Sequence, residues 1–482
     1  MHFAIIAKVL GILLMLFSLT LFPPILVSIW YADANHLAFL LAFAITFSTG
    51  LALWFPVHNH RGDLRTRDGF LVTALFWTVL GLFGSLPFLL SNSLSLSFTD
   101  ALFESLSGLT TTGATVITGL DILPKSILYY RQQLQWLGGI GIIVIAVAIL
   151  PMLGIGGMQL YRAETPGPVK DSKLTPRITE TAKALFLMYL ALTVICGFAY
   201  WLAGMSTFDA VGHAFSTVAI GGFSTHDASI GYFDSPTISI ICTFFMIVAG
   251  INFALHFLGW NDKSLRNYLR DPECRFYLGW IAVGMVITVG YLYWSNTYNL
   301  GDSLLYGSFE LVSILTTTGF GTADFSLWPT FLPFMLFLFA FMGGCAGSTA
   351  GGMKVIRVLL IYKQGMREIY RLIHPNAVFP IKIGSTTVSD RVLESVWGFF
   401  SVYLLAFVAM FMLLMASGLD FVTAYSAVGA CINNLGPGMG QVAAHYGNIN
   451  DFAKWVLCFA MLLGRLEVFT LLVLFTPMFW RK

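Results

Sequence analysis

The sequence predicts an all-α polytopic membrane protein in which an N-terminal two-helix hairpin precedes four helix–loop–helix repeats in a pseudo-fourfold arrangement. Three observations predict it. The 482 residues are 57% hydrophobic and only 10% charged, whereas soluble domains carry about 25% charged residues. The segment Phe-Glu-x-x-Ser-x-Leu-Thr-Thr-Thr-Gly occurs at 103–113 and again at 309–319, each time between long apolar stretches, and two degenerate copies end at Gly222 and Gly436. The four terminal glycines are 109, 97 and 117 residues apart, so one structural unit is used repeatedly. The basic residues, finally, fall on alternate connections between the apolar runs.

A helix needs about 20 apolar residues to cross a hydrocarbon core of about 30 Å. Ten stretches qualify: 3–30, 38–56, 70–91, 133–153, 183–204, 236–259, 276–296, 328–362, 394–417 and 453–479. The first is too long for a signal peptide and lacks a small-residue cleavage site, so it is read as a spanning helix that pairs with the second. The organisation expected is a hairpin over 1–68 and repeats over 69–158, 159–262, 263–374 and 375–482. Between the two spans of each repeat lies a motif segment (98–113, 207–222, 302–319, 420–436) too short and polar to cross. It must dip in and return on the same side, as a short helix, capped at its start by Asp100, Asp209, Asp302 or Asp420, followed by an extended strand.

Placing both termini in the cytoplasm puts the basic connections inside: Arg61, Arg65 and Arg67; Arg162, Lys170, Lys173 and Arg177; Lys263, Arg266, Arg270 and Arg275; Lys363, Arg367, Arg371, Lys382 and Arg391; Arg481 and Lys482. The opposite side has Lys125 and Arg131 as nearly its only cations but many carboxylates, Asp121, Asp227, Asp234, Asp324 and Asp451 among them. This follows the positive-inside rule. An acidic mouth concentrates cations and repels anions. The six cysteines (Cys196, Cys242, Cys274, Cys345, Cys431, Cys458) are scattered without metal-ligand spacing, and neither a cofactor nor a nucleic-acid partner is expected.

The motif's chemistry suits a dehydrated monovalent cation. Such an ion needs several weak oxygen dipoles in place of its water, and stacked rings of backbone carbonyls supply them. Irregular backbone at membrane depth is tolerated only when buried in protein or lining a water-filled path. Glycine's access to φ > 0 lets carbonyls turn to one side, and the preceding helix aims its negative end at the same place. A Thr/Gly loop without an ion accounts equally well for any single copy. Four copies at matched positions favour the ion.

At this point the chain resembles the bacterial TrkH/TrkG potassium-uptake proteins, part of a wider family with KtrB and the plant HKT transporters. The resemblance rests on the fourfold units, the Leu-Thr-Thr-Thr-Gly copies, the extra hairpin, the run 343–352 and the C-terminal Gly464-Arg465-Leu466-Glu467-Val468-Phe469. It covers essentially the whole chain. It implies a potassium-conducting subunit of a bacterial inner membrane, acting as a homodimer with a cytoplasmic nucleotide-binding partner of the TrkA type. Carried over by position, the selectivity filter comprises Thr110, Thr111, Thr112 and Gly113; Ala219, Ile220, Gly221 and Gly222; Thr316, Thr317, Thr318 and Gly319; and Asn433, Asn434, Leu435 and Gly436. The K⁺ ligands implied are the carbonyls of Thr111, Thr112, Ile220, Gly221, Thr317, Thr318, Asn434 and Leu435. Glycine at all four final positions goes with K⁺ preference in that family. Because the second and fourth strands depart from Thr-Thr-Thr, side-chain support cannot be fourfold. A sodium-permeable or H⁺- or Na⁺-coupled member of the same family is the alternative reading.

Two features are read as a gate. Residues 343–352 include Gly343, Gly344, Gly347, Ser348, Thr349, Gly351 and Gly352. Each glycine costs roughly 1 kcal/mol in a helix interior, so the run suits a flexible plug beneath the third filter strand; close helix packing through small residues is the plainer account. Arg465 falls within the last span, where a charge costs at least ~2.5–3.5 kcal/mol. It is either a barrier to cations or one half of a structural ion pair, with Glu467 or a neighbouring carboxylate. Ser348 lies in Ala-Gly-Ser-Thr-Ala rather than a Gly-x-Ser-x-Gly nucleophile elbow, and no paired base is evident, so an enzyme is not expected. His213 takes the place of Glu104 and Glu310, a structural role. His226 and Asp227 are read as vestibule loop, the loop 159–182 as a docking surface or solvated connector, and Trp30, Tyr31, Trp54, Trp201, Trp294, Trp328 and Trp480 as interfacial anchors.

Overall fold

The computed structural model describes residues 2–60, 65–141, 178–384 and 386–481. The hairpin is α1 (Phe3–Leu19), α2 (Phe22–Tyr31) and α3 (His36–Trp54). The first repeat has α4 (Thr66–Gly84), α5 (Leu86–Leu90), the re-entrant helix α6 (Phe98–Leu109) and α7 (Lys125–Trp136). The second has α8 (Ile178–Leu202), re-entrant α9 (Thr207–Val218), α10 (Pro236–Ala249) and α11 (Phe253–Asn261). A short α12 (Arg266–Arg270) leads to α13 (Pro272–Trp294), re-entrant α14 (Leu300–Leu315), α15 (Leu332–Met342) and α16 (Val355–Ile373). The two-residue strands β1 (Lys382–Ile383) and β2 (Thr386–Thr387) pair antiparallel before the fourth repeat. That repeat has α17 (Asp390–Ala416), re-entrant α18 (Phe421–Ile432) and α19 (Asp451–Arg465), then short α20 (Phe469–Leu472) and α21 (Pro477–Trp480).

Six described helices are long and apolar enough to cross a membrane, and two bent pairs raise the number to eight. The stretch 236–259 bends by 94° between α10 and α11, and 453–479 bends by 111° after Arg465. The span expected at 328–362 is interrupted: α15 stops at Met342 and α16 starts at Val355. Most of the span at 133–153, the docking loop up to residue 177, and Arg61, Arg162, Lys170, Lys173, Arg177 and Lys482 lie outside the described residues.

Apolar packing crosses repeat boundaries. One core cluster joins the hairpin to the first and fourth repeats, another joins the second to the third, and a third joins the third to the fourth. Trp328 belongs to this interior, 5% exposed against Tyr298, and is not an interfacial anchor. Trp30 and Trp294 are 85% and 75% exposed, as that role requires.

The re-entrant helices share one construction. The side chains of Ser97, Ser206 and Asn299 accept the backbone N–H of Asp100, Asp209 and Asp302 at 3.1, 3.1 and 2.9 Å. The expected aspartate cap is correct only for Asp420, which accepts Thr423 N–H at 3.1 Å. In the other three repeats a Ser or Asn side chain caps, and the aspartate sits three residues in, at the positive end of the helix dipole. The third re-entrant helix has 16 residues against 12 in each of the others, so it starts about one turn earlier and still ends in register.

Candidate functional site: the four strands beneath the re-entrant helices

All four re-entrant helices stop in the same way. The residues at the second strand position, Thr111, Ile220, Thr317 and Asn434, take φ of 55°, 54°, 65° and 53°. Left-handed backbone is a genuine outlier for β-branched Thr and Ile, costing of order 1–3 kcal/mol each. It ends the helix by folding two N–H groups back. Thr111 and Thr112 donate to Gly108 and Ser107 carbonyls, and Ile220 and Gly221 to Thr217 and Ser216. Thr317 and Thr318 donate to Ile314 and Ser313, and Asn434 and Leu435 to Cys431 and Ala430. With the amides turned back, the strand carbonyls are released. Among the described residues only one of the eight expected ligand carbonyls accepts a hydrogen bond, that of Gly221.

The final glycines close the four strands into a ring. Gly113, Gly222, Gly319 and Gly436 have φ of 81°, 78°, 81° and 98°. A Cβ on Gly113 would lie 2.1 Å from Gly221 O, one on Gly222 2.1 Å from Thr318 O, and one on Gly319 2.1 Å from Leu435 O. One on Gly436 would lie 2.6 Å from Thr112 O, returning to the first strand. Each glycine therefore makes room for the third-position carbonyl of the next strand. This cyclic order is what the recurrent spacing suggested.

Side-chain support differs strand by strand. Thr110 and Thr112 hydroxyls pair at 2.7 Å, as do those of Thr316 and Thr318. In the fourth strand Tyr403 OH donates to Asn433 Oδ1 at 2.7 Å, and Asn434 Nδ2 donates to Thr112 Oγ1 and Met461 O at 3.0 Å each. The second strand has no side-chain oxygen or nitrogen of its own.

In the first three repeats the returning segments are pinned by the residue nine positions before the final glycine; in the fourth that position is Ala427, and the neighbouring Ser426 Oγ accepts Met439 N–H at 2.8 Å instead. Buried Glu104 accepts Val116 N–H at 2.9 Å and Arg131 Nε–H at 2.7 Å. Glu310 accepts Thr322 and Ala323 N–H at 2.6 and 3.0 Å. His213 sits between Asp209 O and Ser224 Oγ at 2.8 and 2.9 Å. Glu104, Glu310 and Asp209 are thus buried structural groups rather than vestibule charges. Arg131, counted among the outer cations, is 1% exposed and belongs to the interior. Lys454 is a further cation on that side and pairs with Asp100 at 2.6 Å. The mouth keeps exposed Asp121, Asp227, Asp234, Asp324, Asp420 and Asp451. The hydrogen bond with His226 holds the Asp121 carboxyl below its ordinary range, and the Thr423 hydroxyl does the same for Asp420, so both are ionised at neutral pH. Removing one partner of a buried pair costs about 3–5 kcal/mol. Arg131→Met is therefore expected to destabilise by that amount in detergent melts, and Arg131→Met with Glu104→Gln by much less.

Beneath the strands lie the glycine-rich run and Arg465. Gly352 N donates to Asn433 O at 3.0 Å, Gly351 N to Thr317 Oγ1 at 2.7 Å, and Thr349 Oγ1 to Val218 O at 2.9 Å. The run touches the feet of strands two, three and four, not the third alone. The foot of the first strand meets Arg465, whose guanidinium donates to Thr111 Oγ1 at 3.3 Å and to the carbonyls of Gly138 and Gly139. Arg465 terminates α19 instead of lying mid-span, and Glu467, the partner suggested for it, pairs with Arg357. The Ser348 hydroxyl donates to Cys345 O at 2.6 Å, a local turn bond. Gly343, Gly347 and Gly352 have φ near 70°, and Gly344 approaches Gly250 O.

Several residues escaped the sequence reading. Glu273 accepts Ala346 N–H at 2.7 Å and Ile356 N–H at 3.2 Å, anchoring both ends of the run. Lys354, whose ammonium donates to Ala350 O, interacts electrostatically with Arg465, Arg357, Glu467 and Glu273. Arg131, Gln132, Gln133 and Gln135 form a buried polar face on α7. The signal for that face was present: four polar side chains in six residues at the start of an apolar span are expensive without partners.

A ring of four re-entrant helices whose strands interlock, each final glycine against the next strand's carbonyl, is the architecture of a membrane transport protein. A family model described as "Cation transport protein", TrkH, matches residues 35–482. A protein of Halomonas elongata named Trk system potassium uptake protein TrkH is 60% identical over the full length of both chains. Trk system potassium uptake protein TrkG of Escherichia coli K12 is 43% identical, covering 100% of this chain and 99% of its own. The crystal structure of the potassium transporter TrkH from Vibrio parahaemolyticus superposes with a TM-score of 0.91 at 52% identity, covering both chains completely. The chain belongs to the TrkH family of cation transport proteins and is a multi-pass membrane protein.

Proposed function

We propose that this chain is the potassium-translocating subunit of a Trk-type uptake system, conducting K⁺ through the ring of strands ending at Gly113, Gly222, Gly319 and Gly436. The observation that carries the reading is the set of carbonyls. Buried carbonyls are ordinarily paired, yet seven of the eight expected ligands accept no hydrogen bond among the described residues. Oxygens left in that condition on four converging strands can replace the hydration shell of a monovalent cation. The relatives named for potassium uptake agree with K⁺ as the ion. The acidic mouth faces outward and both termini lie in the cytoplasm of a bacterial inner membrane. The subunit works as a homodimer with a TrkA-type nucleotide-binding regulator that relieves the block formed by 343–352 and Arg465.

Purified protein in liposomes is expected to dissipate a K⁺ gradient well faster than a Na⁺ gradient of equal size; equal rates would refute the reading. Orientation has its own test. Single cysteines at exposed Asp227 and Asp324, in a cysteine-free background, are expected to react with an impermeant thiol reagent added outside intact cells. Labelling confined to inverted vesicles would reverse the topology.

A further inference from the structure

We infer that Gln135, a residue of the first repeat, is the brace of the second filter strand and a determinant of K⁺ selectivity; this rests on the proposed filter. Strand 219–222 is the one strand that cannot support itself. Its residues are Ala, Ile, Gly and Gly, and Ile220 is nonetheless held at φ 54°. The support comes from outside the repeat. Gln135 Nε2 donates to Gly221 O at 2.5 Å, and Gln135 Oε1 accepts Phe223 N–H at 3.0 Å. The backbone amide of Phe223 can only donate, which fixes which end of the carboxamide is which. Gln135 is completely buried.

The pair is sterically complementary as well. A Cβ on Gly221 would lie 2.4 Å from Gln135 Cδ, so Gln135 fills the volume that a threonine side chain occupies at the third position of strands one and three. Its neighbours extend the contact along the strand. Gln132 Nε2 donates to Phe223 O at 3.3 Å, Arg131 Nη1 donates to Ser224 O at 3.2 Å, and the Arg131 guanidinium lies 4.2 Å over the Phe223 ring.

The consequence for an ion follows from the shared carbonyl. Gly221 O is the oxygen that lies against Gly113, and among the described residues it is the one expected ligand already hydrogen-bonded. A carbonyl held from behind cannot swing toward a smaller cation, so the ring keeps its size on that side. Its remaining lone pair meets the ion with a weaker field than the other three supply. Selectivity thus depends on a carboxamide that touches no ion, which makes Gln135 a positioning residue.

The test is the K⁺/Na⁺ flux ratio of Gln135→Met and Gln135→Glu in liposomes, with Gly113→Ser as the filter control. Methionine keeps the length but makes neither bond; an ionised glutamate accepts from Phe223 but cannot donate to Gly221. Both are expected to lower the ratio at least about five-fold in protein that still folds, with a lowered melting temperature because a buried group loses its partner. A folded Gln135 variant that keeps the wild-type ratio, with Gly113→Ser impaired, overturns the role of Gln135 and leaves the filter standing. An unaltered ratio in Gly113→Ser overturns the filter itself. If neither single variant folds, the triple variant Gln135→Ala/Ala219→Thr/Gly221→Thr decides, because it moves the brace into the strand as the Thr316–Thr318 pair does in the third repeat. A folded, selective triple variant supports the inference; an unselective or unfolded one ends it.

Discussion

Gly113→Ser is expected to abolish most of the discrimination between K⁺ and Na⁺, lowering the flux ratio by about ten-fold or more. Two independent costs act at one atom. The residue's φ of 81° is a conformation that side chains rarely adopt, and the new Cβ would sit 2.1 Å from Gly221 O. Overlap with a backbone oxygen cannot be relieved by a rotamer change, so either strand one or the Gly221 carbonyl must move. Both displacements alter the dimension of the ring proposed to select the ion. The effect is local, since the helix cap, the Glu104–Arg131 pair and the Thr110–Thr112 bond do not involve this Cβ. Membrane insertion and melting should change little. Ion-substitution flux on the reconstituted variant measures it, and an unchanged ratio would remove Gly113 from the filter.

The second large effect concerns Arg465 and the glycine-rich run, which lie together beneath the strands. Arg465 contacts strand one, and 343–352 contacts the other three strands; together they cover all four feet. A cation placed there repels the permeating ion at close range, where screening is weak. Arg465→Ala is expected to raise basal K⁺ flux about ten-fold and make it less dependent on the proposed cytoplasmic regulator, with folding retained. Deleting 347–351 should act in the same direction. If Arg465→Ala lowered both the melting temperature and the flux, its bonds to Gly138 and Gly139 would be structural scaffolding and the barrier would have to lie elsewhere.

Repetition made the architecture legible. Four glycine-ended segments at similar intervals announced four units, while the orientation read from the basic connections rests on the labelling test proposed above. The degenerate second and fourth copies could be aligned because backbone, not side chains, recurs: Ile220 and Asn434 adopt the same left-handed turn as Thr111 and Thr317. What stayed hidden was whatever depends on a distant partner. Nothing in Arg-Gln-Gln-Leu-Gln-Trp at 131–136 states that its third glutamine meets a strand 86 residues later. Tyr403 reads as one more aromatic in an apolar helix until Asn433 is found beside it. Local chemistry also misled in small ways. Aspartate is a good cap, but three residues earlier a serine or asparagine had already taken the position. Arg465 was legible as costly but not as the last residue before a sharp turn, because the turn is made by Glu467 and Val468, both with positive φ and neither a glycine.

The bond from Asn434 to Thr112 joins residues 322 positions apart, and it has a consequence for biogenesis. A chain inserted from its N-terminus places the first re-entrant segment in the bilayer long before the fourth has been synthesised. Until then the first strand lacks one neighbour, and its released carbonyls and strained backbone have no closed ring to hold them. Long-range closure of this kind is slow because the entropy of joining the ends is lost before any contact repays it. The ring of four strands is therefore the last part of the molecule to close.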